Sequence, residues 1–423
     1  MLDIKFIRDN KDLIREAAVK KQIHFNVDEL IAVDDKRRAA LLAVETKRTE
    51  QNHYSEKIAT LGNPTERNVV IVEVQALKAN LEREEEALKN VIKEWQRLML
   101  QVPNIPDISV PDGKSGEDNK EIKVWGEKLN FPFTPKSHIE LLGDLDMVDL
   151  ERGAKVAGFR GYFLKNDGAL LSFAIWQYAL DFFLKKDFVP VIAPSLVKRE
   201  NLLGTGYLPQ GEEDLNKTQD GDYLAGTSEV ATMGYYLNEV IDAAKLPVKF
   251  LSFSPCFRRE AGSYGKDVKG LIRVHEFYKL EQLILCEAKH ETSVKLHEEI
   301  NRNVEEFIET LGIPYRTVIN CGGDLGLGQV KKYDVELWVP LENKYREISS
   351  ASYFHDFQTR RLNIRYKDAD GKLKFVHSLN STAIPTPRIL VSLVENYQQA
   401  DGSVVIPKIL QKYMGGRKVI KKN

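Results

Sequence analysis

The chain has 423 residues, 61 basic and 62 acidic, for a formal charge of −1, so the molecule as a whole exerts no pull on nucleic acid and a polyanion must be met by local basic patches. At 43% hydrophobic and 29% charged it has the make-up of a globular protein with a real core, and its length suits two to three domains. Three scattered cysteines, Cys256, Cys286 and Cys321, argue against a disulfide framework or a zinc knuckle and read as buried thiols in a reducing compartment.

The first stretch, MLDIKFIRDNKDLIREAA, is charged throughout and lacks the apolar segment of a signal peptide. No later run is long enough to cross a bilayer, so a cytoplasmic protein with no membrane partner is expected. Residues 28–101 then read as helix, interrupted only by LGNPTE at 61–66. In the second half Val70, Val74, Leu77, Leu81, Leu88, Val91, Trp95 and Leu98 recur at heptad spacing, a seam broken only at Glu84. A weaker seam runs through Val33, Arg37, Ala40, Val44, Lys47, Gln51, Tyr54, Ile58 and Leu61. Gly62 and Asn63 signal a stop, and Pro64 and Thr65 a restart. Two long helices joined by so short a turn must fold back on one another. The expectation is an antiparallel coiled-coil hairpin about 50 Å long. Its outer faces carry Lys36, Arg37, Arg38, Lys47, Arg48 and Lys57, which suit either a solvated charged face or an elongated polyanion.

A segment rich in Pro, Gly and Asp follows, and the domain division reads as an arm over 1–105, a linker over 106–125 and a second domain over 126–423. In that domain FVPVIAPSLV, VKFLSFSPCF, EFYKLEQLILC, YDVELWVP and EISSASYF read as strands. Helical patterns fall near 168–186, 228–242, 290–311 and 388–399. Consecutive strands between 250 and 354 indicate an α+β fold with a mainly antiparallel sheet flanked by helices.

Two glycine-containing stretches do not fit nucleotide motifs. GEEDLNKT at 211–218 lacks the glycine before the lysine of a P-loop, and CGGDLGLG at 321–328 breaks the dinucleotide spacing. More informative is FRREAGSYGKDVKGLIRVHEF at 257–277. An apolar strand ends at Phe257 and a glycine-punctuated loop follows. The segment from Leu271 reads as the returning strand, with Arg273, His275 and Phe277 on one face. Arginine suits bidentate recognition of phosphate, and phenylalanine on the same face offers a surface for a base. A structural ion-pair ladder is the alternative. Arginine, aromatic and loop together favour the anion site, with the loop from Ala261 to Gly270 expected to be mobile until a ligand orders it.

These residues carry a resemblance. FRREAGSYGKDVKGLIRVHEFYKLEQ is similar to motif 2 of the class II aminoacyl-tRNA synthetases, and closely to that of the seryl-tRNA synthetases. RGYFLKNDGALLSFAIWQYALDFFLKKDFVPVIAPSLVKRE resembles motif 1, the helix and strand of that family's dimer interface. YLAGTSEVA resembles its serine-binding loop, and KYDVELWVPLENKYREISSASYFHDFQTRR the segment with metal and ATP contacts. LNSTAIPTPRILVSLVENYQQADGSVVIPKIL resembles motif 3, and the hairpin matches the family's tRNA-binding arm. The resemblance spans essentially the whole chain.

It implies a class II catalytic domain in a homodimeric, ATP-dependent ligase. Such an enzyme activates L-serine as seryl-adenylate and transfers it to the 3′ end of tRNA(Ser), and of tRNA(Sec). By the same resemblance, catalysis falls to Arg258, Arg388 and Glu347. ATP would be bound by Arg258, Arg259, Glu260, Val274, Phe277, Glu347, Ile348, Ser349, Ser350 and Arg388. Of these, Arg258 would hold the α-phosphate, Arg388 the γ-phosphate, and Glu260 and Phe277 the adenine. Serine would be bound by Thr227, Ser228, Glu229, Arg258, Glu281, Asn380 and Thr382. Glu347 and Ser350 would ligate Mg2+, an ion that keeps water and substrate phosphates as its other ligands. Taken alone, REISS reads as a strand end with a capping serine, and Glu281 as a salt-bridge partner of Lys279 or another cation.

Motif 3 departs from the family pattern. Where GSGLAVGR is usual, this chain has STAIPTPR, which keeps the arginine as Arg388 and a hydroxyl as Thr382 but loses the glycines. Two rival readings accompany the main one. An amino-acid-activating relative that loads a carrier protein has no use for the arm, and a non-catalytic RNA-binding relative has no use for an intact Arg258, Glu281, Glu347 and Arg388.

Overall fold

The computed structural model describes every residue except 263, 264, 266 and 423, so the expected movement of the 261–270 loop falls partly outside the described residues. The chain divides into one unit of residues 2–19 and 23–103, and another of residues 1, 20–22 and 104–423.

The first unit is built on α1 (Val27–Thr60) and α2 (Pro64–Met99). Asn26 caps α1 by accepting from the backbone N–H groups of Asp28 and Glu29. Asn63 accepts from that of Thr65, with Pro64 at the first helical position of α2, where its missing N–H has no partner to lose. The helices run antiparallel, because Arg37 meets Trp95 while Lys47 meets Glu84. Val44, Val70, Leu81 and Leu98 are buried along the seam. The polar seam positions answer one another. Glu84, the break in the second heptad, accepts from Lys47 of the first at 2.8 Å, and the Arg37 guanidinium lies 4.7 Å from the Trp95 ring.

The second unit holds an eight-stranded sheet. Its strands are β1 (Lys120–Trp125), β2 (Val189–Ile192), β3 (Val248–Phe257), β4 (Glu276–Cys286), β5 (Tyr315–Ile319), β6 (Lys331–Val339), β7 (Lys344–His355) and β8 (His377–Thr386). They lie in the order β1-β5-β6-β7-β8-β4-β3-β2. Every neighbouring pair is antiparallel except β2 with β3. The helices named below are α3 (Asn166–Phe183), α4 (Glu229–Gly234), α5 (His290–Leu311), α6 (Phe357–Leu362) and α7 (Arg388–Tyr397). Phe183, Ile284, Phe307, Tyr315 and Leu393, drawn from helices and sheet alike, sit in one fully buried core.

Two local expectations are corrected. The returning strand after the 261–270 loop begins at Glu276, so Arg273 and His275 are not strand residues. Ion pairing and burial hold that segment instead. Arg273 donates to Glu260 at 2.9 Å and to Asp267 at 3.1 Å, while Leu271 is buried. The helix expected over 228–242 covers only Glu229–Gly234. Beyond it Asn238 adopts a positive φ, and Val240–Ile241 pairs in parallel with Arg365–Tyr366.

Candidate active site

β3, β4, β7 and β8 carry most of the expected site residues to one region of the sheet. Arg258 follows directly from β3 and is exposed. Its Nε donates to the Gly226 carbonyl at 3.4 Å, and its guanidinium lies 5.2 Å from the Phe277 ring at the root of β4. Among the described residues no carboxylate pairs with it, which leaves its charge available.

Lys279 and Glu281 share one face of β4 by the two-residue alternation. Thr382 stands opposite Glu281 on β8. The Lys279 ammonium lies 2.5 Å from Glu281 and donates to Thr227 at 2.8 Å and Thr382 at 3.3 Å, while the Thr382 hydroxyl donates to Glu281 at 3.2 Å. Glu229, buried at the start of α4, accepts from the Tyr207 hydroxyl at 2.8 Å and from the Gln358 amide of α6 at 2.6 Å. Burial, with the nearby Glu281 carboxylate second, pushes its pKa up to about 7.

On β7 a bulge decides the geometry. Ser349 pairs with Val335 and Glu347 with Glu336, which leaves Ile348 as an extra residue. In a regular strand Glu347 and Ser350 would face opposite sides, and the extra residue brings them to the same one. Both line a cavity of about 270 Å³ with Glu229, Glu281, Asn380 and Thr382. A second cavity is lined by Glu260, Val274, Phe277, Ile348 and Arg388, and the two have Arg258, Lys279, Glu347 and Thr382 in common. Arg388, first residue of α7, is aimed by donating to the carbonyls of Ile272 at 2.9 Å and Glu347 at 3.1 Å. Burial lowers its pKa, against the opposing pull of Glu347.

Not every expected residue reaches a cavity. The Arg259 guanidinium donates to the Glu213 carbonyl at 3.1 Å and lines neither. Ser228 is fully buried, its hydroxyl donating to the Ser252 carbonyl at 3.3 Å. Ser349 is turned to the Thr382 carbonyl. Thr227 lines neither cavity and accepts from the Lys279 ammonium at 2.8 Å. Conversely, Lys279 as a lining residue, Tyr207, Gln358 and the segment Gly326–Gln329 were absent from the site expected from sequence. Only Lys279 had a local signal, its position two residues before Glu281.

One carboxylate and one hydroxyl on the same face are hard oxygen donors suited to Mg2+. Among the described residues no group of three His, Cys, Asp or Glu could hold a metal ion unaided. The donor set therefore fits an ion held jointly with substrate phosphates.

A mainly antiparallel sheet carrying two adjoining cavities that share Arg258 defines the class, that of the class II aminoacyl-tRNA synthetases. Residues 213–397 match the family described as tRNA synthetase class II core domain (G, H, P, S and T), and residues 1–106 match the seryl-tRNA synthetase N-terminal domain. A serine–tRNA ligase of Deinococcus radiodurans is 44% identical over 99% of this chain and 99% of its own length. The crystal structure of a seryl-tRNA synthetase from Pyrococcus horikoshii complexed with ATP matches with a TM-score of 0.89 at 38% identity, covering 100% of both chains. A cytoplasmic serine–tRNA ligase from Naegleria fowleri in complex with AMP matches with a TM-score of 0.86 at 31% identity, over 100% of this chain and 99% of that one. The chain belongs to the serine–tRNA ligase family.

Proposed function

We propose that the protein activates L-serine with ATP to form seryl-adenylate and transfers the seryl group to the 3′ end of tRNA(Ser). The observation that carries this reading is the pair of adjoining cavities with Arg258 and Glu347 in both. One has buried carboxylates, hydroxyls and an ammonium for a small amino acid; the other has an aromatic ring and two arginines for a nucleotide.

In this reading the serine ammonium meets Glu229 and its hydroxyl meets Glu281. Asn380 and Thr382 complete the polar surround, and Thr227 acts on it through its hydrogen bond with Lys279. Arg258 lies between the serine carboxylate and the α-phosphate, Phe277 stacks on adenine, Glu260 contacts it, and Arg388 takes the γ-phosphate. The serine carboxylate attacks the α-phosphorus and the bond to pyrophosphate breaks. A carboxylate is already a nucleophile, so no general base is required. The work is in-line positioning and charge neutralisation. Mg2+, held by Glu347 and Ser350, would neutralise phosphate charge when bound. Alanine would leave the Glu281 carboxylate without its hydrogen bond, the kind of buried loss that gives large discrimination.

The arm over 1–105 is read as the tRNA-binding domain, with 106–125 as linker and 126–423 as catalytic domain. The end of the linker doubles as edge strand β1. RNA helices are recognised largely by shape, so a coiled-coil arm suits the long variable arm of tRNA(Ser), and by the same token of tRNA(Sec). A homodimer is supported by an apolar cavity of about 750 Å³ beside α3, lined by Phe163, Phe173, Trp176 and Tyr278, with Phe173 56% exposed. No helix among the described residues is long and apolar enough to cross a membrane, and the proposed compartment is the cytoplasm. The decisive test is ATP–pyrophosphate exchange across amino acids. Exchange with serine is expected, and exchange with a different amino acid but not serine would overturn the substrate.

A further inference from the structure

One wall of the 270 Å³ cavity comes from no family motif used above. It is the segment Gly326–Gln329, which lines the cavity together with Glu229, Glu281, Ser352 and Phe354. The segment lies between the turn Gly322–Asp324 and β6, outside any helix or strand. Its backbone therefore has no ladder to hold it, and a wall of a specific site must be held by something else.

What holds it is Lys21. This lysine is 3% exposed and belongs to the same unit as the cavity. Its ammonium donates to three carbonyls, those of Gly326 at 3.0 Å, Leu327 at 2.9 Å and Gln329 at 2.6 Å. Three donors meet three acceptors, so the group is fully satisfied. Among the described residues no carboxylate neutralises it. Burying an ammonium without a counter-ion is unfavourable, and an apolar side chain would fill the same space without that penalty. Burial pulls the Lys21 pKa well below the ordinary lysine value, and the three converging carbonyl dipoles are what favour the charged form against it.

The rest of the segment is fixed by other means. Asn104 donates its backbone N–H to Leu327 and its amide to Gly328. Gln329 folds back to accept from the Gly326 N–H at 2.6 Å and donates to Ser352 at 2.8 Å. Gly328 packs so closely that a Cβ would lie 2.6 Å from the Phe357 ring.

We propose that Lys21 is a positioning residue that sets affinity and size selectivity for the amino acid by clamping Gly326–Gln329 as a wall of its compartment. The proposal rests on the reading of that cavity as the serine site. The wall fixes how far the cavity extends beyond the Glu229 and Glu281 carboxylates. Released, it lets serine sit off its polar contacts and makes room for one more methyl group.

The test uses the full-length chain and ATP–pyrophosphate exchange. In Lys21→Met the KM for serine should rise roughly tenfold to a hundredfold, the scale of a misplacement of about 1 Å. The KM for ATP should stay within about twofold, as the nucleotide contacts are not on this wall, and preference for serine over threonine should narrow from its usual one-methyl scale of roughly 10–200-fold. Gln329→Ala, which frees the same wall from its other side, should give the same serine-selective signature, and it carries the test if Lys21→Met does not fold. An unchanged serine KM, or serine and ATP affected equally, would overturn the clamp. Glu281→Ala separates the two readings. If it leaves the serine KM unchanged, the cavity assignment fails. If it abolishes serine exchange while Lys21→Met and Gln329→Ala leave serine KM alone, the clamp alone fails.

Discussion

Lys279 and Glu281, two residues apart on β4, form an ion pair at 2.5 Å in which both side chains are buried. The pair spans what the sequence left as alternatives for Glu281, a salt-bridge partner or a wall of the site, because both residues also line the 270 Å³ cavity. A buried pair is weak evidence for stability, yet breaking it from one side leaves a charge stranded in a low-dielectric interior. Lys279→Met should therefore destabilise the protein by about 3–5 kcal/mol. The double change Lys279→Met, Glu281→Leu should recover most of that loss while remaining inactive. Thermal midpoints of the three proteins, read beside serine-dependent exchange, check this. A double variant no more stable than the single one would show that the loss does not come from a stranded Glu281 charge.

Arg258 presents the opposite case. Among the described residues its side-chain contacts are one long hydrogen bond to the Gly226 carbonyl and the face of Phe277, so stability gains little from that side chain. Arg258→Ala should leave the thermal midpoint nearly unchanged, within about 0.5 kcal/mol. Pyrophosphate exchange should fall by roughly 10²–10³-fold or more, as when a preorganised donor to developing charge is removed. Arg258→Lys should not restore it, because an ammonium cannot reproduce a planar bidentate fork. Exchange surviving in the alanine variant would remove Arg258 from catalysis.

The sequence was most legible where one period ran unbroken. VKFLSFSPCF and EFYKLEQLILC coincide with β3 and β4 residue for residue, and the 290–311 pattern with α5. It was least legible at β8. HSLNSTAIPT is polar and contains Pro385, features that argue against a central strand, yet it lies between β7 and β4. Its polar residues are explained by the site it floors, with Asn380 and Thr382 in the cavity lining. The β7 bulge was equally hidden, since nothing local in REISS says which residue is extra. Lys21 is further still from view. It sits in the turn that follows the helix Lys11–Lys20, and its three acceptors are about 300 residues away. No periodicity connects them.

The six arm cations singled out by sequence separate into two groups. Arg37 is occupied by Asp34 and Trp95, Lys47 by Glu84 and Arg48 by Glu85. Lys36, Arg38 and Lys57 are exposed and have no carboxylate within pairing distance among the described residues. If the arm meets an RNA backbone, this second group supplies the phosphate contacts. Lys36→Ala and Arg38→Ala should each raise the KM for tRNA and reduce the salt dependence of charging by about one phosphate contact. Serine-dependent pyrophosphate exchange should be untouched. Lys47→Ala should instead cost the hairpin up to about 1 kcal/mol, the worth of a partly exposed pair with Glu84, and leave the salt dependence of charging unchanged. Charging measured against salt concentration separates the groups, and equal effects from both would count against a specific RNA face.

If Glu229 receives the serine ammonium as proposed, serine binding is sensitive to pH near neutrality. Its carboxyl is raised to about 7 by burial and by the neighbouring Glu281. A raised acid favours its protonated form in the folded protein. The associated stability is present below the ordinary value of 4.5 and is lost as pH rises through about 7, an effect of about 3 kcal/mol in all. A cationic ammonium requires the ionised form, so serine should bind more tightly as pH rises from 6 to 8. Below pH 7 binding should expel close to one proton, because the ammonium pulls the carboxyl back toward ionisation. Calorimetric titration with serine in two buffers of different ionisation enthalpy measures that proton directly. Glu229→Gln should abolish the release, weaken serine binding and raise the thermal midpoint above pH 7, where the native carboxylate is buried and charged. Proton uptake on serine binding, or a Glu229→Gln protein that still releases the proton, would assign the ammonium to another carboxylate, with Glu281 the nearest alternative.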